Sequence, residues 1–416
     1  MVDFQPLVGY ISDMKYRRFI QKKIFTALKD TPVVFLNGPR QAGKSTLVEN
    51  LKFKQSHFTT LDNLLELELA KTNPAAFLNR FNSTLIIDEV QRAPELFIAI
   101  KQQVDKNRKP GRFLLTGSAN VLLLPKISES LVGRMEILTL QPLSLGEIHD
   151  NERDIIDQLF QKKIGIPSKR IKIFEQIISG GFPEVHTRLK YERKSAWFNS
   201  YITTLIQRDI RNLANIEGFS KIPKLLSLLA ARSGSLLSFN ELSRSTGIPT
   251  STLKRYFIIL ETVFLTYTIP AWSTNKGKRL VKSPKVYLND SGMLCFLLGV
   301  NSESLEQNPL WGRIFETFVI NELRKLATWT CQLINFYHFR THSGIEVDLV
   351  LEARNEKIIG IEIKASKNLQ LKDFEGLKYL KETYPDRFQM GAIIYLGSEI
   401  IQVDKEIVAL PVSVLS

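Results

Sequence analysis

The chain has 416 residues, 44% of them hydrophobic and 24% charged, which is the composition of a globular protein long enough for roughly two to four domains. Lys and Arg number 56 against 42 Asp and Glu, and the net charge of +14 suggests a polyanionic partner, nucleic acid first, although such an excess also serves solubility. No apolar run reaches the length of a membrane span, the amino terminus predicts no secretory signal, and two cysteines make neither a disulfide framework nor a zinc site, so a cytoplasmic location without membrane contact is expected.

The most informative stretch is residues 38–45, GPRQAGKS, which fits the phosphate-binding loop pattern G-x-x-x-x-G-K-[ST] at every fixed position. The flanks predict a buried strand at 33–36 and a helix at 46–51, so a chance match is the weaker reading. In this arrangement the loop N–H groups and the helix N-terminus face phosphate oxygens, Lys44 reaches the β- and γ-phosphates of ATP, and Ser45 holds Mg²⁺. The predicted nucleotide-binding residues are Gly38, Pro39, Arg40, Gln41, Ala42, Gly43, Lys44, Ser45 and Thr46.

A second stretch, residues 85–89 with the sequence LIIDE, supports the first. An all-apolar strand is typical of the centre of a parallel sheet, and ligands of such sheets lie at the carboxyl ends of the strands. We expect Asp88 to bind Mg²⁺ through water and Glu89 to polarise the attacking water. A buried strand that ends in a solvated acidic turn is the alternative.

The rest of the first 150 residues alternates strands and helices, which predicts an α/β core around the phosphate-binding loop, with a parallel sheet and right-handed crossovers. Residues 112–118 form a strand with a polar end, and Thr116, Ser118 and Asn120 are equal candidates for sensing the γ-phosphate. Arg134 precedes the next strand and is a candidate arginine finger, within the chain or toward a neighbouring subunit of a homo-oligomer, or a surface residue at a turn.

Residues 151–220 are charged and helical in pattern, and we expect a helical lid or linker there. Arg208 and Arg211 can reach a nucleotide from such a lid, or pair with neighbouring acids such as Asp209 on a solvated helix, which is the favoured reading.

Residues 221–300 predict a winged helix. A helix ending at Gly247 is followed by a second helix from Pro249, and residues 264–269 and 285–288 form the two strands of a wing. Leu253, Tyr256, Phe257 and Leu260 share the core-facing side of the second helix. Protein packing is the alternative to DNA contact for such a module. The predicted DNA-binding residues are Thr250, Ser251, Lys254, Arg255, Lys276, Lys278 and Arg279.

Residues 301–416 hold a second candidate site. Glu362 and Lys364 are two apart on a strand and project from one face, and Asp348 joins them if its strand pairs alongside. Two carboxylates and a lysine at a strand edge can hold Mg²⁺ and position a water for phosphodiester cleavage. The element order and spacing resemble the restriction-endonuclease-like nuclease superfamily, and Glu316 matches the place where that superfamily often adds a metal ligand. A solvated Glu-x-Lys strand on an inactive fold is the alternative.

The whole chain resembles a family of bacterial and archaeal AAA-type ATPases in which the core is followed by a conserved domain of unknown function. The resemblance lies in residues 37–45, 85–91, 115–118, 131–134 and 283–292, and in IEVD at 345–348 with IEIK at 361–364. It implies ATP binding and hydrolysis, a winged helix and a nuclease-like end.

Two functions follow from this sequence. The first is a Mg²⁺-dependent ATPase coupled to DNA binding, with metal-dependent cleavage added by Lys364 and the carboxylates around it. The second is an ATP-controlled switch that binds a protein partner and whose nuclease-like domain is inactive.

Overall fold

The computed structural model describes residues 16–51, 56–119, 131, 133–165, 171–210 and 219–416. The described chain divides into two compact units, one formed by residues up to 143 and the other by most of the residues from 144 onward. The predicted α/β class is confirmed for both. In the described ranges no helix is both long enough and apolar enough to cross a bilayer.

The first unit contains one parallel sheet of five strands, flanked by helices on both faces. Its strand order is β2-β3-β4-β1-β5, so β4 lies between the strand that enters the phosphate loop and the strand that ends in Asp88. The elements are α1 (Gln21–Leu28), β1 (Val33–Asn37), α2 (Lys44–Asn50), β2 (Ser56–Thr60), α3 (Leu64–Thr72), α4 (Pro74–Asn79), β3 (Thr84–Asp88), α5 (Glu95–Lys106), β4 (Phe113–Gly117) and β5 (Met135–Thr139).

The three central strands of this sheet are buried at every position and mostly apolar, because both of their faces are covered. Phe35 and Ile87 point to the face packed by α3, α4 and α5, whereas Leu36 and Ile86 point to the face packed by α1 and α2. This double burial fixes the register of the strands, and the polar residues at their carboxyl ends therefore meet at one edge.

The second unit begins with a helical segment, the one predicted as a lid. Helices α8 and α9 pack on α14, a helix that follows the three-stranded sheet of the predicted winged helix. The predicted domain boundaries and the lid role stay predictions. The helices are α6 (Leu145–His149), α7 (Ile155–Phe160), α8 (Ile173–Ser179), α9 (Tyr191–Thr204) and α14 (Ser291–Leu298).

The winged-helix order of helix, strand, two helices and two strands is present, and β6, β8 and β7 pair antiparallel in that order. The connection between β7 and β8 contains a further short helix. The elements are α10 (Ile222–Ala231), β6 (Ser235–Leu236), α11 (Phe239–Thr246), α12 (Thr250–Thr262), β7 (Thr266–Ile269), α13 (Lys276–Val281) and β8 (Lys285–Leu288).

The last hundred residues form a six-stranded mixed sheet of order β13-β14-β12-β11-β10-β9. The predicted order of helix, three strands, helix and strand along the chain is confirmed, and β9, β10 and β11 form an antiparallel meander. The elements are α15 (Trp311–Ala327), β9 (Ile334–Arg340), β10 (Glu346–Ala353), β11 (Ile358–Lys364), α16 (Glu375–Thr383), β12 (Phe388–Tyr395), β13 (Ile401–Gln402) and β14 (Ile407–Pro411).

Asp290 joins two segments of the second unit that are distant in sequence. Its carboxylate caps α14 by accepting the N–H of Met293 at 2.9 Å, and it also accepts the N–H of Gly181 at 2.8 Å. Gly180 has a φ of +63°, and a Cβ there would lie 2.1 Å from an Asp290 oxygen. Glycine at 180 therefore allows the carboxylate to approach the backbone closely.

We expect Asp290→Ala to lower the free energy of unfolding by about 2 to 4 kcal/mol, because a helix cap is lost and a buried N–H is left unpaired. Urea denaturation followed by circular dichroism measures this. Glu306→Ala removes an exposed carboxylate and is the matched control, with no expected change. Equal stability of the two variants would contradict this role of Asp290.

Candidate functional site

The phosphate loop follows β1 and is bent by residues with positive φ. Gly38 has a φ of +145°, and a Cβ at this position would lie 2.1 Å from the carbonyl oxygen of Leu140, so only glycine fits. Gln41 and Gly43 are also left-handed, with φ of 61° and 93°. Gly43 caps α2, whose first residue is Lys44.

The side chain of Lys44, the first residue of α2, is buried and folds back over the phosphate loop. Its ammonium donates hydrogen bonds to the carbonyl oxygens of Gly38 at 2.9 Å and Pro39 at 2.8 Å. Lys44, the residue predicted to bind phosphate, is thus held over the loop by two carbonyl oxygens. The oxygens of a bound phosphate can replace both as acceptors.

Asp88 is the centre of the site. The hydroxyl of Ser45 donates to one of its oxygens at 3.0 Å, Thr116 donates to the same oxygen, and Thr60 donates to the other at 3.4 Å. The two predicted Mg²⁺-holding residues, Ser45 and Asp88, are therefore in direct contact. They come from opposite sides of β4, which contributes Thr116 between them.

Glu89 follows in the left-handed conformation, with a φ of 57°, and its N–H donates to the Thr116 hydroxyl at 3.1 Å. Its carboxylate accepts hydrogen bonds from Gln91 and, at 3.3 Å, from the hydroxyl of Ser118. Of the three sensor candidates, Thr116 and Ser118 both touch the carboxylates, whereas Asn120 lies outside the described residues.

Two residues of this site were not predicted. Gln91 bonds both Glu89 and Ser118, and its position three residues after Asp88 was the only signal. Arg18 is buried under the loop and donates to the carbonyl oxygens of Ala42 and Gln141, each at 2.6 Å. No local pattern identified Arg18, because its partners are carbonyl groups distant in sequence.

Arg134 does not lie at this site, and its prediction as an arginine finger within the chain is wrong. Its carbonyl oxygen accepts the N–H of Val33, which places it at the amino ends of the strands, opposite the phosphate loop. Its side chain pairs with Asp105 at 2.5 Å. The guanidinium of Arg134 lowers the pKa of Asp105. A role toward a neighbouring subunit stays a prediction.

In the second unit, α12 exposes the face predicted to meet DNA. Ser251, Lys254 and Arg255 are exposed, and Thr250 is half-buried. The predicted core residues of this helix, Leu253, Tyr256, Phe257 and Leu260, are all buried as expected. In the segment predicted as a lid, Arg208 is exposed and Arg211 lies outside the described residues.

The connection between the two predicted wing strands is attached to the six-stranded sheet. Trp272 is buried in the core of that sheet, and its backbone N–H donates to the carbonyl oxygen of His338 on β9. Arg279 makes a two-pronged ion pair with Glu352, at 2.7 and 2.8 Å. The prediction that Arg279 binds DNA is therefore wrong, because its guanidinium is buried and used. Lys276 and Lys278 on the same short helix are exposed.

The carboxylates predicted as a metal site lie near one another but are joined by lysines. Lys285 lies between Glu316 and Asp348, and Lys364 pairs with Glu362 at 2.8 Å. Across the described ranges no three residues of the His, Cys, Asp and Glu types form a group that could hold a metal ion. The predicted three-ligand site of Glu316, Asp348 and Glu362 is therefore not formed.

The charges in this cluster explain its pKa values. Burial, followed by the charge of Asp348, raises the pKa of Glu316 to about 7 and that of Glu362 to about 8. Burial alone would lower the pKa of Lys285, but the neighbouring Glu316 and Asp348 outweigh it and raise that pKa. The second oxygen of Glu362, Oε2, is buried and has no hydrogen-bond partner among the described residues.

Comparison with known proteins agrees with this architecture. Residues 30–149 match a family described as AAA domain, residues 170–304 match a domain of unknown function (DUF8612), and residues 311–415 match another (DUF4143). Uncharacterized proteins of Mycobacterium tuberculosis and Mycobacterium bovis are each 31% identical over 398 residues, which is 95% of this chain and 83% of theirs. The chain belongs to their family of AAA-domain proteins with C-terminal domains of unknown function.

More distant similarities were also found. An uncharacterized protein of Haemophilus influenzae is 24% identical over 196 residues, 45% of this chain and 46% of its own length. A Walker-type ATPase of Pyrococcus abyssi has a TM-score of 0.45 at 13% identity, over 69% of this chain and 96% of its own. AMPPCP-bound DnaA of Aquifex aeolicus has a TM-score of 0.28 at 15% identity, over 58% and 86%. The family's AAA domain coincides with the P-loop ATPase fold of the first unit.

We expect Arg279→Lys to lower the free energy of unfolding by about 1 to 3 kcal/mol, because an ammonium cannot reproduce the two-pronged bond to Glu352. Urea denaturation measures the loss, and DNA affinity measured in parallel should not change. The control is Lys278→Ala, an exposed neighbour for which a change within about 0.5 kcal/mol is expected. Weaker DNA binding by Arg279→Lys at unchanged stability would restore the original prediction.

Proposed function

We propose that the protein binds and hydrolyses ATP with Mg²⁺ and couples this cycle to DNA binding. The observation that carries the proposal is the contact between Ser45 and Asp88 beside the buried ammonium of Lys44. In P-loop NTPases in general, the Ser or Thr hydroxyl that follows the loop lysine and an Asp carboxylate at the end of a strand hold Mg²⁺ on the nucleotide.

The catalytic roles follow from the contacts. Mg²⁺ would be held by Ser45 and, through water, by Asp88, and it would neutralise charge on the β- and γ-phosphates. The Lys44 ammonium would exchange its two carbonyl partners for phosphate oxygens. Glu89 would orient and polarise the attacking water, and Ser118, which donates to Glu89, would sense the γ-phosphate.

The proposed DNA contact uses the exposed face of α12. Lys254 and Arg255 supply charges for phosphate contact, and Ser251 supplies a hydroxyl beside them. Lys276 and Lys278 add charge from the short helix α13. The net charge of +14 supports a polyanionic partner.

Metal-dependent cleavage by the last domain is the weaker half of the original hypothesis. Asp348, Glu362 and Lys364 would be the residues that carry out cleavage. The ammonium of Lys285, however, lies 3.4 Å from the Asp348 carboxylate that would bind the metal. This observation favours the second candidate function, an ATP-controlled switch with an inactive nuclease-like domain whose partner is a protein.

The ATPase proposal is tested by ATP turnover of the full chain. We expect Lys44→Ala to lower turnover by about 100-fold or more, because charge on the transferred phosphoryl group loses its fixed partner. Lys71→Ala, an exposed lysine on α3, should keep the wild-type rate and serves as the control. Turnover that survives in a folded Lys44→Ala protein would refute the site.

The DNA proposal is tested by the salt dependence of binding. We expect the double charge reversal Lys254→Glu with Arg255→Glu to weaken duplex binding and to reduce the slope of log K against log salt by about 2, because two phosphate contacts are lost. Lys372→Glu with Lys378→Glu changes the charge equally at exposed positions far along the chain and is the control. Absence of DNA binding by the wild type at low salt would instead favour the protein-partner switch.

A further inference from the structure

The ammonium of Lys285 occupies a central position in the C-terminal carboxylate cluster. Lys285 is the first residue of β8, and its side chain is 11% exposed. Its Nζ lies 2.9 Å from Oε1 of Glu316 on α15 and 3.4 Å from Oδ1 of Asp348 on β10. One lysine from the three-stranded sheet thus joins a helix and a strand of the last domain.

Both carboxylates accept a further hydrogen bond besides the contact with Lys285. The hydroxyl of Tyr287, which is on the same strand as Lys285, donates to Oε1 of Glu316 at 2.7 Å. The N–H of Ile363 donates to Oδ2 of Asp348 at 2.9 Å. A divalent ion takes six or more oxygen ligands, and to bind here it would have to displace these donors and the ammonium.

The residues present therefore do not fit a metal ion, and they do fit a fixed cation supplied by the chain. A positive charge that contacts two carboxylates neutralises them at the position that a bound metal would take. Removal of the lysine would leave buried, uncompensated negative charge on the carboxylates. Removal of the carboxylates would likewise leave the buried ammonium uncompensated.

We propose that Lys285 is a built-in cation that replaces a metal ion between Glu316 and Asp348. The cluster is then an ionic joint that fixes the three-stranded sheet to the last domain, and the last domain works without a divalent metal. This inference does not depend on ATP hydrolysis or on DNA binding.

Two neighbouring contacts indicate the same joint. Asn321 on α15 donates to the carbonyl oxygen of Leu288, at the other end of β8, at 3.1 Å. Tyr267 on β7 donates to the side chain of the same Asn321 at 2.8 Å. Strand β8 is therefore held to α15 at both of its ends, and Lys285 supplies the charged end.

Metal binding tests the proposal directly. Nucleotide-free full-length protein is titrated with Mn²⁺, and the free ion is followed by electron paramagnetic resonance. We expect no saturable site in the wild type, one gained site in Lys285→Ala, and its loss again in Lys285→Ala with Asp348→Asn. Lys282→Ala, a lysine of the same segment without a carboxylate partner, is the control and should gain nothing.

Two results of this titration would overturn the proposal. One is a saturable Mn²⁺ site in the wild type that Asp348→Asn removes. The other is a Lys285→Ala protein that folds but gains no site. If Lys285→Ala folds only when Mn²⁺ is added, the ion has replaced the ammonium and the proposal is supported.

A double-mutant cycle tests the joint without any metal. We expect Lys285→Met and Glu316→Gln each to lower the melting temperature, and the double variant to regain part of the loss. The reason is that the double variant leaves one carboxylate, Asp348, without the ammonium, whereas Lys285→Met leaves two. If Lys285→Met does not fold, recovery of folded protein in the double variant is the expected result. Additive losses, or a double variant that is no better than Lys285→Met, would refute the joint.

Discussion

The hydrogen bonds of Asp88 are the interaction on which the first unit depends. One carboxylate receives the hydroxyls of Ser45, Thr116 and Thr60, so it connects the phosphate loop with three strands of the sheet. Strand β4 lies between β1 and β3, and its Thr116 hydroxyl donates to Asp88 at the end of β3. A nucleotide bound at Ser45 would therefore change the hydrogen bonds of Asp88 and Thr116, and with them the position of Glu89, whose N–H donates to Thr116.

The second unit depends on a different kind of contact, in which charges are buried with their partners. Arg279 with Glu352, and Lys285 with Glu316, both reach from the winged helix into the last domain. Such pairs add little net stability compared with apolar packing, but they penalise any arrangement that separates them. They therefore specify one arrangement of the three-stranded sheet and the last domain. The basic residues Lys254 and Arg255 on α12 take no part in these pairs and are exposed.

The sequence predicted what depends on short-range pattern. The phosphate loop, the apolar strand before Asp88, the core face of α12 and the sequence of helices and strands along the last domain are all set by spacing along the chain. It failed where a partner is distant in sequence. The basic run at 276–279 was interpreted as a surface because nothing nearby showed that Glu352 would take Arg279, and Arg134 was misplaced because the pattern does not say which end of a sheet a turn occupies.

Trp272 carries a consequence for how this protein can be divided and inherited. The residue belongs to the segment matched by one family of unknown function, 170–304, yet it fills the core of the segment matched by the other, 311–415. A fragment cut between the two would lack a large core side chain on one side and expose it on the other. We therefore expect recombination and gene fusion to have moved these two segments together, so that they form one unit of evolution despite their separate names.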